Sequence, residues 1–267
     1  MKQKHIYITM MMTALLIAGG HHAFAAKRPL ITDIVSFEKS DSAAEVSLLV
    51  HWPCKGEQVL VDSLRHHIAS LLGGEFHSPD DILSYGESLF ESLSADWHSV
   101  YDEMPPEERL GAFSKSHHIT KLAETSRYIT YYYQTYDYGG GIHGYTTEVG
   151  FTFRKSDGKQ IPLLTNTDSP RLAQLIKEGV RRYFANNEET EMSDEALTGE
   201  LFINDVDDLN HLPLPGNAPY LTETGVVFLY TQYEIAPYSA GMITFEIPFK
   251  DIRPFLTPDA QKLIPSE

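Results

Sequence analysis

Strand-like and helix-like segments occur in groups along this chain and do not alternate, and this order constrains the fold more than any other feature. Residues 30–37 and 44–52 are rich in β-branched and apolar types, which predicts a first pair of strands. Two amphipathic helices are predicted next, over residues 57–72 and from Pro79 to Val100. Such grouping favours an α+β fold, with mixed or antiparallel sheets and packed helices, over a doubly wound parallel sheet.

The second half of the chain continues in the same uneven order. Strands are predicted at residues 118–124, 127–138, 146–154, 160–163 and 242–249, and a β-hairpin at 220–230 with Gly225 at its turn. A third helix is predicted from Pro170 to about residue 186, and the acidic residues 187–208 are expected to form a loop or a surface helix. Fifteen tyrosines and thirteen phenylalanines also favour strands over an all-helical bundle.

The first residues have the three parts of a secretory signal peptide. Lys2 and Lys4 precede an apolar run, and Ala23-Phe24-Ala25 forms an A-x-A cleavage site. The apolar run is shorter than the roughly 20 residues that span a bilayer, and Gly19-Gly20 interrupts it. We therefore expect residues 1–25 to be a cleaved signal peptide, with no transmembrane segment in the mature chain and a periplasmic or extracellular location.

The net charge restricts the class of partner. The formal charge is -16, and it becomes -18 when Lys2 and Lys4 are removed with the first 25 residues, which contain no acidic residue. Such a surface repels nucleic acids and anionic membranes, so a charged partner is expected to be basic, although acidity is also an ordinary means of staying soluble. The single cysteine, Cys54, excludes an internal disulfide, so stability must come from a hydrophobic core.

Residues 138–145 read YGGGIHGY, and Gly139, Gly141 and Gly144 have the spacing G-x-G-x-x-G of dinucleotide-binding loops. Such a loop needs a helix after it to hold the pyrophosphate, whereas residues 145–153 are β-branched and aromatic. The context therefore excludes a dinucleotide site. An esterase-like loop is also disfavoured, because the serine nearest to a nucleophile elbow, Ser239, has Pro237 where the elbow requires glycine.

Twelve histidines prompt a search for a metal site. The sequence contains no H-E-x-x-H pattern, and in the pairs His66-His67 and His117-His118 the adjacent side chains point apart. We expect no metal and no other cofactor, although a site that the fold assembles from scattered histidines and carboxylates stays open.

Two interpretations of YGGGIHGY stay open. In the structural one, the glycines let the chain take positive φ and pass close to another backbone, and His143 caps or hydrogen-bonds this crossing. In the functional one, His143 and the flanking tyrosines form an exposed patch for a ligand. Residues 233–241 have two interpretations as well, as a turn set by Pro237 or as a second edge of the same binding face. The candidate binding residues are Tyr138, Gly140, Gly141, His143, Tyr145, Tyr233 and Tyr238.

Both clusters lie in stretches that resemble known domain families. The sequence YDYGGGIHGYTTEVGFTFRKSDGKQIPLL resembles the Y-x-G-G-A-H-G signature and following strand pair of exported modules in peptidoglycan deacetylases and lysozyme-sensing anti-sigma factors. The sequence YLTETGVVFLYTQYEIAPYSAGMITFEIPFKDIRPFL is similar to the closing half of that module, DUF3298, which follows DUF4163. The resemblance covers roughly residues 31–256, and Ile142 stands where the family usually has alanine.

The resemblance implies an α+β ectodomain in two subdomains that serves as a recognition module at the cell envelope. Residues 26–144 would form the DUF4163-like subdomain and residues 145–267 the DUF3298-like one. The metal-binding Asp and His-x-x-x-His of the deacetylase domain have no counterpart in the sequence. We therefore expect a module that binds a protein or a peptidoglycan-type glycan, such as a basic lysozyme-like protein, without catalysis of its own. The alternatives are a cell-wall hydrolase or deacetylase-like enzyme that uses His143 with carboxylates or a metal, and a scaffold without a small ligand.

Overall fold

The computed structural model describes residues 29–185 and 192–266, so the predicted signal peptide lies outside the described residues. Within these ranges the chain has an α+β fold, with a mixed sheet of five strands, a sheet of three strands and several helices. The fold class predicted from the order of the segments is therefore confirmed. No helix in the described ranges combines the length and the apolar character that crossing a membrane requires.

The five-stranded sheet has its strands in sequence order. They are β1 (Ile31–Ser40), β2 (Ala44–Lys55), β3 (Phe113–Glu124), β4 (Tyr128–Tyr138) and β5 (Tyr145–Arg154). β1 pairs with β2 in antiparallel orientation, whereas β2 pairs with β3 in parallel orientation. A parallel neighbour requires a long crossover, which the chain supplies as two helices, α1 (Gln58–Leu72) and α2 (Pro79–Tyr101).

Local signals in the sequence fix the ends of these two helices. The Ser78 hydroxyl accepts a hydrogen bond from the Asp81 amide, and the Asp81 carboxylate accepts one from the Ser78 amide, which forms a capping box at the start of α2. α1 ends at Gly73, whose φ of 74° glycine adopts without strain. Both helices pack on β2, and α2 also packs on β1.

The second sheet is small and antiparallel. Its strands are β6 (Tyr220–Leu221), β7 (Gly225–Tyr230) and β8 (Ile243–Pro248). The accompanying helices are α3 (Pro170–Phe184), α4 (Asp194–Glu200), α5 (Phe249–Ile252) and α6 (Pro258–Gln261). α3 packs against β8 at Gly179, where an added Cβ would lie 2.1 Å from Cδ2 of Phe245. The helix and the strand can approach this closely because Gly179 has no side chain.

Contacts divide the chain into two compact units, and each unit is built from separate stretches of sequence. Of the described residues, the first unit holds those from 29 to 121 together with Tyr133–Thr146 and Lys155–Lys159. The second unit holds Leu122–Tyr132, Thr147–Arg154 and Gln160–Glu267. β3, β4 and β5 therefore contribute residues to both units. The subdomain boundary after Gly144, which the family resemblance implies, stays a prediction.

Two predicted elements differ from the structure. Residues 160–163 contribute one isolated bridge, between Phe153 and Gln160, instead of a strand. Gly225 begins β7 and lies just after the hairpin turn. The Thr222 and Thr224 hydroxyls hold the turn by donating hydrogen bonds to the Glu246 carboxylate at 2.6 and 2.7 Å. A Cβ at Gly225 would lie 2.5 Å from the Ile247 carbonyl oxygen, so this glycine serves a close approach of two strands.

His117 belongs to an aromatic cluster in the first unit. Its Nδ1 lies 2.7 Å from the Tyr133 hydroxyl, and the two rings stack with their centroids 5.9 Å apart. Burial, and secondly the charge of Lys115, lower the pKa of His117 to about 4. Burial also lowers the pKa of His67, on α1, to about 4. Both rings are therefore neutral at pH 7, which suits residues that fill space in a fold.

We expect Gly179→Ala to destabilise the protein by about 1–3 kcal/mol, because Phe245 is buried, stacks on Phe228 and cannot move away from an added methyl group. Gly199→Ala is the matched control, since Gly199 is also helical but is exposed, with no atom within 4 Å of an added Cβ. The control should be unchanged or up to about 1 kcal/mol more stable, because alanine has the higher helix propensity. Denaturant unfolding measures both values, and equal stabilities would contradict this account of Gly179.

We also expect the free energy of unfolding to fall as the pH is lowered from about 6.5 to about 4. The unfolded chain takes up protons on His67 and His117 near pH 6.5, about the ordinary pKa of histidine. In the folded chain both histidines stay neutral until about pH 4. Between pH 6.5 and pH 4 each histidine therefore lowers the free energy of unfolding by an amount on the order of 1–3 kcal/mol, and the loss levels off below pH 4. His117→Phe keeps a ring and removes one titrating group, so its stability should depend less on pH in this window. Urea unfolding at several pH values measures the slope, and a variant slope equal to that of the wild type would refute the prediction.

Candidate functional site

The glycine loop, residues 139–144, joins β4 to β5. Gly140 and Gly141 have φ values of 93° and 106°, which residues with a side chain rarely adopt. The Tyr138 hydroxyl donates a hydrogen bond to the Gly141 carbonyl at 3.1 Å and closes the turn. The predicted use of glycine for positive φ is therefore confirmed at these two positions.

The base of the glycine loop is closely packed. A Cβ at Gly144 would lie 2.4 Å from Cζ of Tyr136, so a side chain at this position would overlap the ring. A Cβ at Gly140 would lie 3.0 Å from the Tyr101 hydroxyl and 3.8 Å from Leu110. The base of the loop therefore packs against Tyr101, Leu110 and Tyr136, and these contacts fix the direction of its tip.

The tip of the glycine loop is apolar and exposed. Ile142 is 101% exposed, so its whole side chain stands in solvent. His143 is also exposed, with Nδ1 3.0 Å from the Gly144 carbonyl oxygen, and Tyr145 is 47% exposed. A single exposed apolar residue is common on proteins, but this one stands on a loop whose base is fixed. The loop therefore presents an isoleucine and an imidazole outward and buries neither.

An acidic segment, residues 102–108, lies beside the glycine loop in the first unit. It contains four exposed carboxylates, those of Asp102, Glu103, Glu107 and Glu108. Asp102 pairs with His98 at 2.8 Å, and Arg109 donates to the carbonyl groups of Asp102 and Met104. Tyr101 and Leu110, which bracket the segment, both face Gly140. The acidic segment therefore begins and ends next to the loop.

The second predicted cluster, residues 233–241, is a compact turn in the second unit. Tyr233 is 52% exposed, and its ring centroid lies 5.7 Å from that of Tyr238. The Glu234 carboxylate holds the turn in place, because it accepts hydrogen bonds from the amides of Thr231 and Gly216 at 2.7 and 2.6 Å. The turn ends at Gly241, whose φ of 71° confirms the predicted relief of the backbone there.

The seven predicted binding residues are divided between the two units. Tyr138, Gly140, Gly141, His143 and Tyr145 lie in the first unit, and Tyr233 and Tyr238 lie in the second. The exposure of His143, Tyr145 and Tyr233 makes their rings accessible to a ligand. Gly140 and Gly141 act through the conformation of the backbone instead.

A third cluster, which sequence reasoning missed, surrounds Glu148 on β5 in the second unit. Tyr132 donates a hydrogen bond to the Glu148 carboxylate, and the ring centroids of Tyr132 and Tyr220 lie 6.0 Å apart. Tyr183, on α3, donates to the Ala240 carbonyl at 2.7 Å. Burial is the largest cause that raises the pKa of all three tyrosines, and the Glu148 carboxylate is a further cause for each. We call Tyr132, Glu148, Tyr183 and Tyr220 the tyrosine–carboxylate cluster.

Gly150 and Thr152 place Tyr220 in this cluster. A Cβ at Gly150 would lie 2.2 Å from the Tyr220 ring, so the ring packs directly on the backbone of β5. The Leu221 amide donates to the Thr152 hydroxyl at 2.9 Å, and this hydroxyl lies 3.0 Å from that of Thr130. A glycine inside a predicted strand is a sequence signal for such a close approach, and Gly150 was one.

Among the described residues there is neither a metal-ligand cluster nor an activated thiol. In residues 29–185 and 192–266, no group of three or more His, Cys, Asp or Glu side chains is arranged to hold a metal ion. Burial is the largest cause that raises the pKa of Cys54 to about 11, so its thiol is protonated at neutral pH. What the three clusters offer chemically is apolar and aromatic contact area, hydrogen bonds and negative charge.

Known proteins match this chain in one segment of sequence and in fold. Residues 163–250 match the family described as Protein of unknown function (DUF3298), whereas a comparison with curated proteins found no match. The fold is similar to that of a DUF3298 family member from Bacteroides fragilis NCTC 9343, with a TM-score of 0.64 and 16% identity over 86% of this chain and 96% of that chain. It is also similar to a DUF3298 family protein from Pseudomonas aeruginosa PAO1, with a TM-score of 0.58 and 15% identity over 91% of this chain and 100% of that chain. The chain therefore shares the fold of these DUF3298 proteins and carries, over residues 163–250, a segment that matches their family.

Proposed function

We propose that this chain is an exported recognition module of the cell envelope, which binds a basic, lysozyme-like protein through the glycine loop and has no catalysis of its own. The observation that carries the proposal is the apolar tip of the loop, where Ile142 is 101% exposed. The backbone below it is fixed by the hydrogen bond from Tyr138 to Gly141. Loops that present side chains from a rigid scaffold are a frequent location of binding function.

The charges beside the glycine loop favour a basic partner. The acidic segment, residues 102–108, brings four exposed carboxylates next to the loop, and the chain has a formal charge of -16. Complementary charge raises the rate of association and disfavours acidic competitors. An apolar centre with a charged rim is also the usual arrangement of a protein–protein interface. A protein is therefore favoured here over a peptidoglycan-type glycan.

The family resemblance supports the same function. The glycine loop resembles the signature of exported modules that combine DUF4163 with DUF3298, and residues 163–250, which include Tyr233 and Tyr238, match DUF3298. Modules of this kind occur in peptidoglycan deacetylases and in anti-sigma factors that sense lysozyme. The signal peptide predicted at residues 1–25 supports a location at the envelope.

Replacing Ile142 with aspartate should weaken the binding of hen egg-white lysozyme at least about tenfold, because a charge then replaces the apolar centre of the contact. Val59→Asp is the matched control: Val59 is 47% exposed in the same unit, in the first turn of α1, where the helix dipole accommodates an acid. Biolayer interferometry with the mature protein measures both affinities, after circular dichroism has shown that both variants are folded.

Two results would count against this function. Equal affinities of the two variants would remove the glycine loop from the interface, and a wild-type protein that binds no lysozyme at low or moderate salt would refute the partner class. Turnover of muropeptides by the wild type that is lost in His143→Ala would instead support a cell-wall enzyme.

The double substitution of Glu107 and Glu108 by lysine should lower the association rate constant for lysozyme, and the effect should shrink as salt is added. The reason is that steering by exposed charges is screened, with a Debye length of about 10 Å at 0.1 M salt. The matched control is Glu195→Lys combined with Glu200→Lys, which changes the net charge by the same amount at exposed positions of α4. Stopped-flow association at several salt concentrations compares the pairs, and an equal decrease in both would mean that net charge, and not the acidic segment, steers the partner.

A further inference from the structure

We propose that the outer edge of β1 is a self-association site, where the β1 strands of two copies of this chain pair in antiparallel orientation. The pairing would join the two five-stranded sheets into one continuous sheet. The site contains no residue of the glycine loop or of the acidic segment. The inference therefore goes beyond the proposed function and is tested separately from it.

β1 is an edge strand. Among the described strands it stands first in the order of its sheet, and β2 is its one neighbour. It is ten residues long, contains no proline, and has its register shift between Ile31 and Thr32, at its first residue. Proteins commonly protect an edge by a short strand, a proline or a bulge, because unpaired backbone groups there can bind another strand. Most of β1 lacks these devices and is open to pairing.

The two faces of β1 have different surroundings. Phe37 packs on α2, where an added Cβ at Gly86 would lie 2.6 Å from the Phe37 ring, and buried Val35 lies on the same face of the strand. On the opposite face Ile34 is 42% exposed, and Ser36 is exposed as well. A strand added at the edge would thus extend both a helix-covered face and an open face.

Four side chains on the helix-covered face form a row that is complementary to itself. The row has an acid at one end, two apolar residues in the middle and a base at the other end: Asp33, Val35, Phe37 and Lys39. In a symmetric antiparallel pair, residues that lie opposite each other share a face. When the two-fold axis passes through Ser36, Asp33 of each copy lies opposite Lys39 of the other, and Val35 lies opposite Phe37. Opposite charges meet at both ends, and apolar side chains meet between them.

The neighbouring registers lack this match. With the axis at Val35, Asp33 lies opposite Phe37, and with the axis at Phe37, Lys39 lies opposite Val35. Each of these registers sets a charge beside an apolar side chain and forms no acid–base pair. The match at Ser36 is the reason to assign the edge to a second copy of this chain.

Lys39 is accessible for the contact across the axis. Its Nζ lies 2.5 Å from the Glu87 carboxylate and 4.4 Å from the centre of the Phe90 ring, and these contacts orient the side chain. The side chain is still 31% exposed, and an ammonium has three donors, so a carboxylate of the second copy can approach it.

Sedimentation velocity of the mature chain, from about 5 to 500 μM, tests the proposal. We expect a reversible dimer with a dissociation constant of about 1–100 μM, because two paired strands make an interface at the small end of the range. The measurement uses about 0.15 M salt, since the negative charge of each copy opposes self-association and salt screens this repulsion.

Asp33→Lys should raise the dissociation constant at least about tenfold, because a lysine then faces Lys39 at both ends of the pair. Asp62→Lys is the matched control, since it changes the net charge by the same amount at an exposed position of α1. Both substitutions reduce the negative charge of the chain, which by itself favours association. A loss of the dimer that is confined to Asp33→Lys therefore identifies β1 as the interface.

Cysteine cross-linking tests the register, in a Cys54→Ser background that removes the native thiol. Ser36→Cys sets two thiols directly opposite each other, with a Cα separation of about 4.5–5.5 Å that a disulfide spans. Glu38→Cys is the control on the same face, where the two positions lie about 14 Å apart along the paired strands. Under air oxidation, Ser36→Cys should give at least about tenfold more disulfide-linked dimer on a non-reducing gel.

Three results would overturn the proposal. They are a wild type that is monomeric at about 500 μM, equal dissociation constants of Asp33→Lys and Asp62→Lys, and equal cross-linking of the two cysteine variants. A monomeric wild type would leave the edge of β1 to a strand from a different protein. The cross-linking comparison decides the question even if Asp33→Lys does not fold, and none of these results depends on the binding of lysozyme.

Discussion

The hydroxyl group of Thr152 fixes the position of β6, and the tyrosine–carboxylate cluster depends on it. β6 has two residues, so its pairing with β7 supplies few backbone hydrogen bonds. The Leu221 amide donates to this hydroxyl at 2.9 Å, and the Thr130 hydroxyl lies 3.0 Å away. All three residues are buried, where an unmade hydrogen bond costs roughly 1–3 kcal/mol. That cost keeps Leu221 next to Thr152 of β5, and the preceding residue, Tyr220, is thereby held against Gly150.

Signals that act over a few residues made much of the fold predictable. The capping box at Ser78 and the glycine at position 73 set helix ends that agree with the predicted ones, and the α+β class followed from the grouping of segments. The hairpin turn was not predictable in the same way, because a glycine can serve a turn or a close approach. Gly225 serves the approach, since Thr222 and Thr224 bind a carboxylate that β8 supplies from another part of the chain.

The candidate sites show the same division between local and long-range information. The positive φ of Gly140 and Gly141 follows from their own lack of a side chain, and it was predicted. The full exposure of Ile142 depends on the contacts at the base of the loop, and Ile142 was not among the predicted binding residues. The four members of the tyrosine–carboxylate cluster lie on four different elements, so no spacing pattern in the sequence predicts that they are close together.

The carboxylates of this chain act by different physical means, according to their exposure to water. The carboxylates of the acidic segment are exposed, so water and salt weaken their field, and they act mainly on the rate at which a basic partner arrives. Glu148 is half-buried among tyrosine rings, where the field is screened less and each hydrogen bond is stronger. Charge in such a setting contributes to affinity and to the choice between a cation and a neutral group of the same shape. The net charge of -16 alone therefore does not predict recognition, because the contribution of each carboxylate depends on how far it is removed from water.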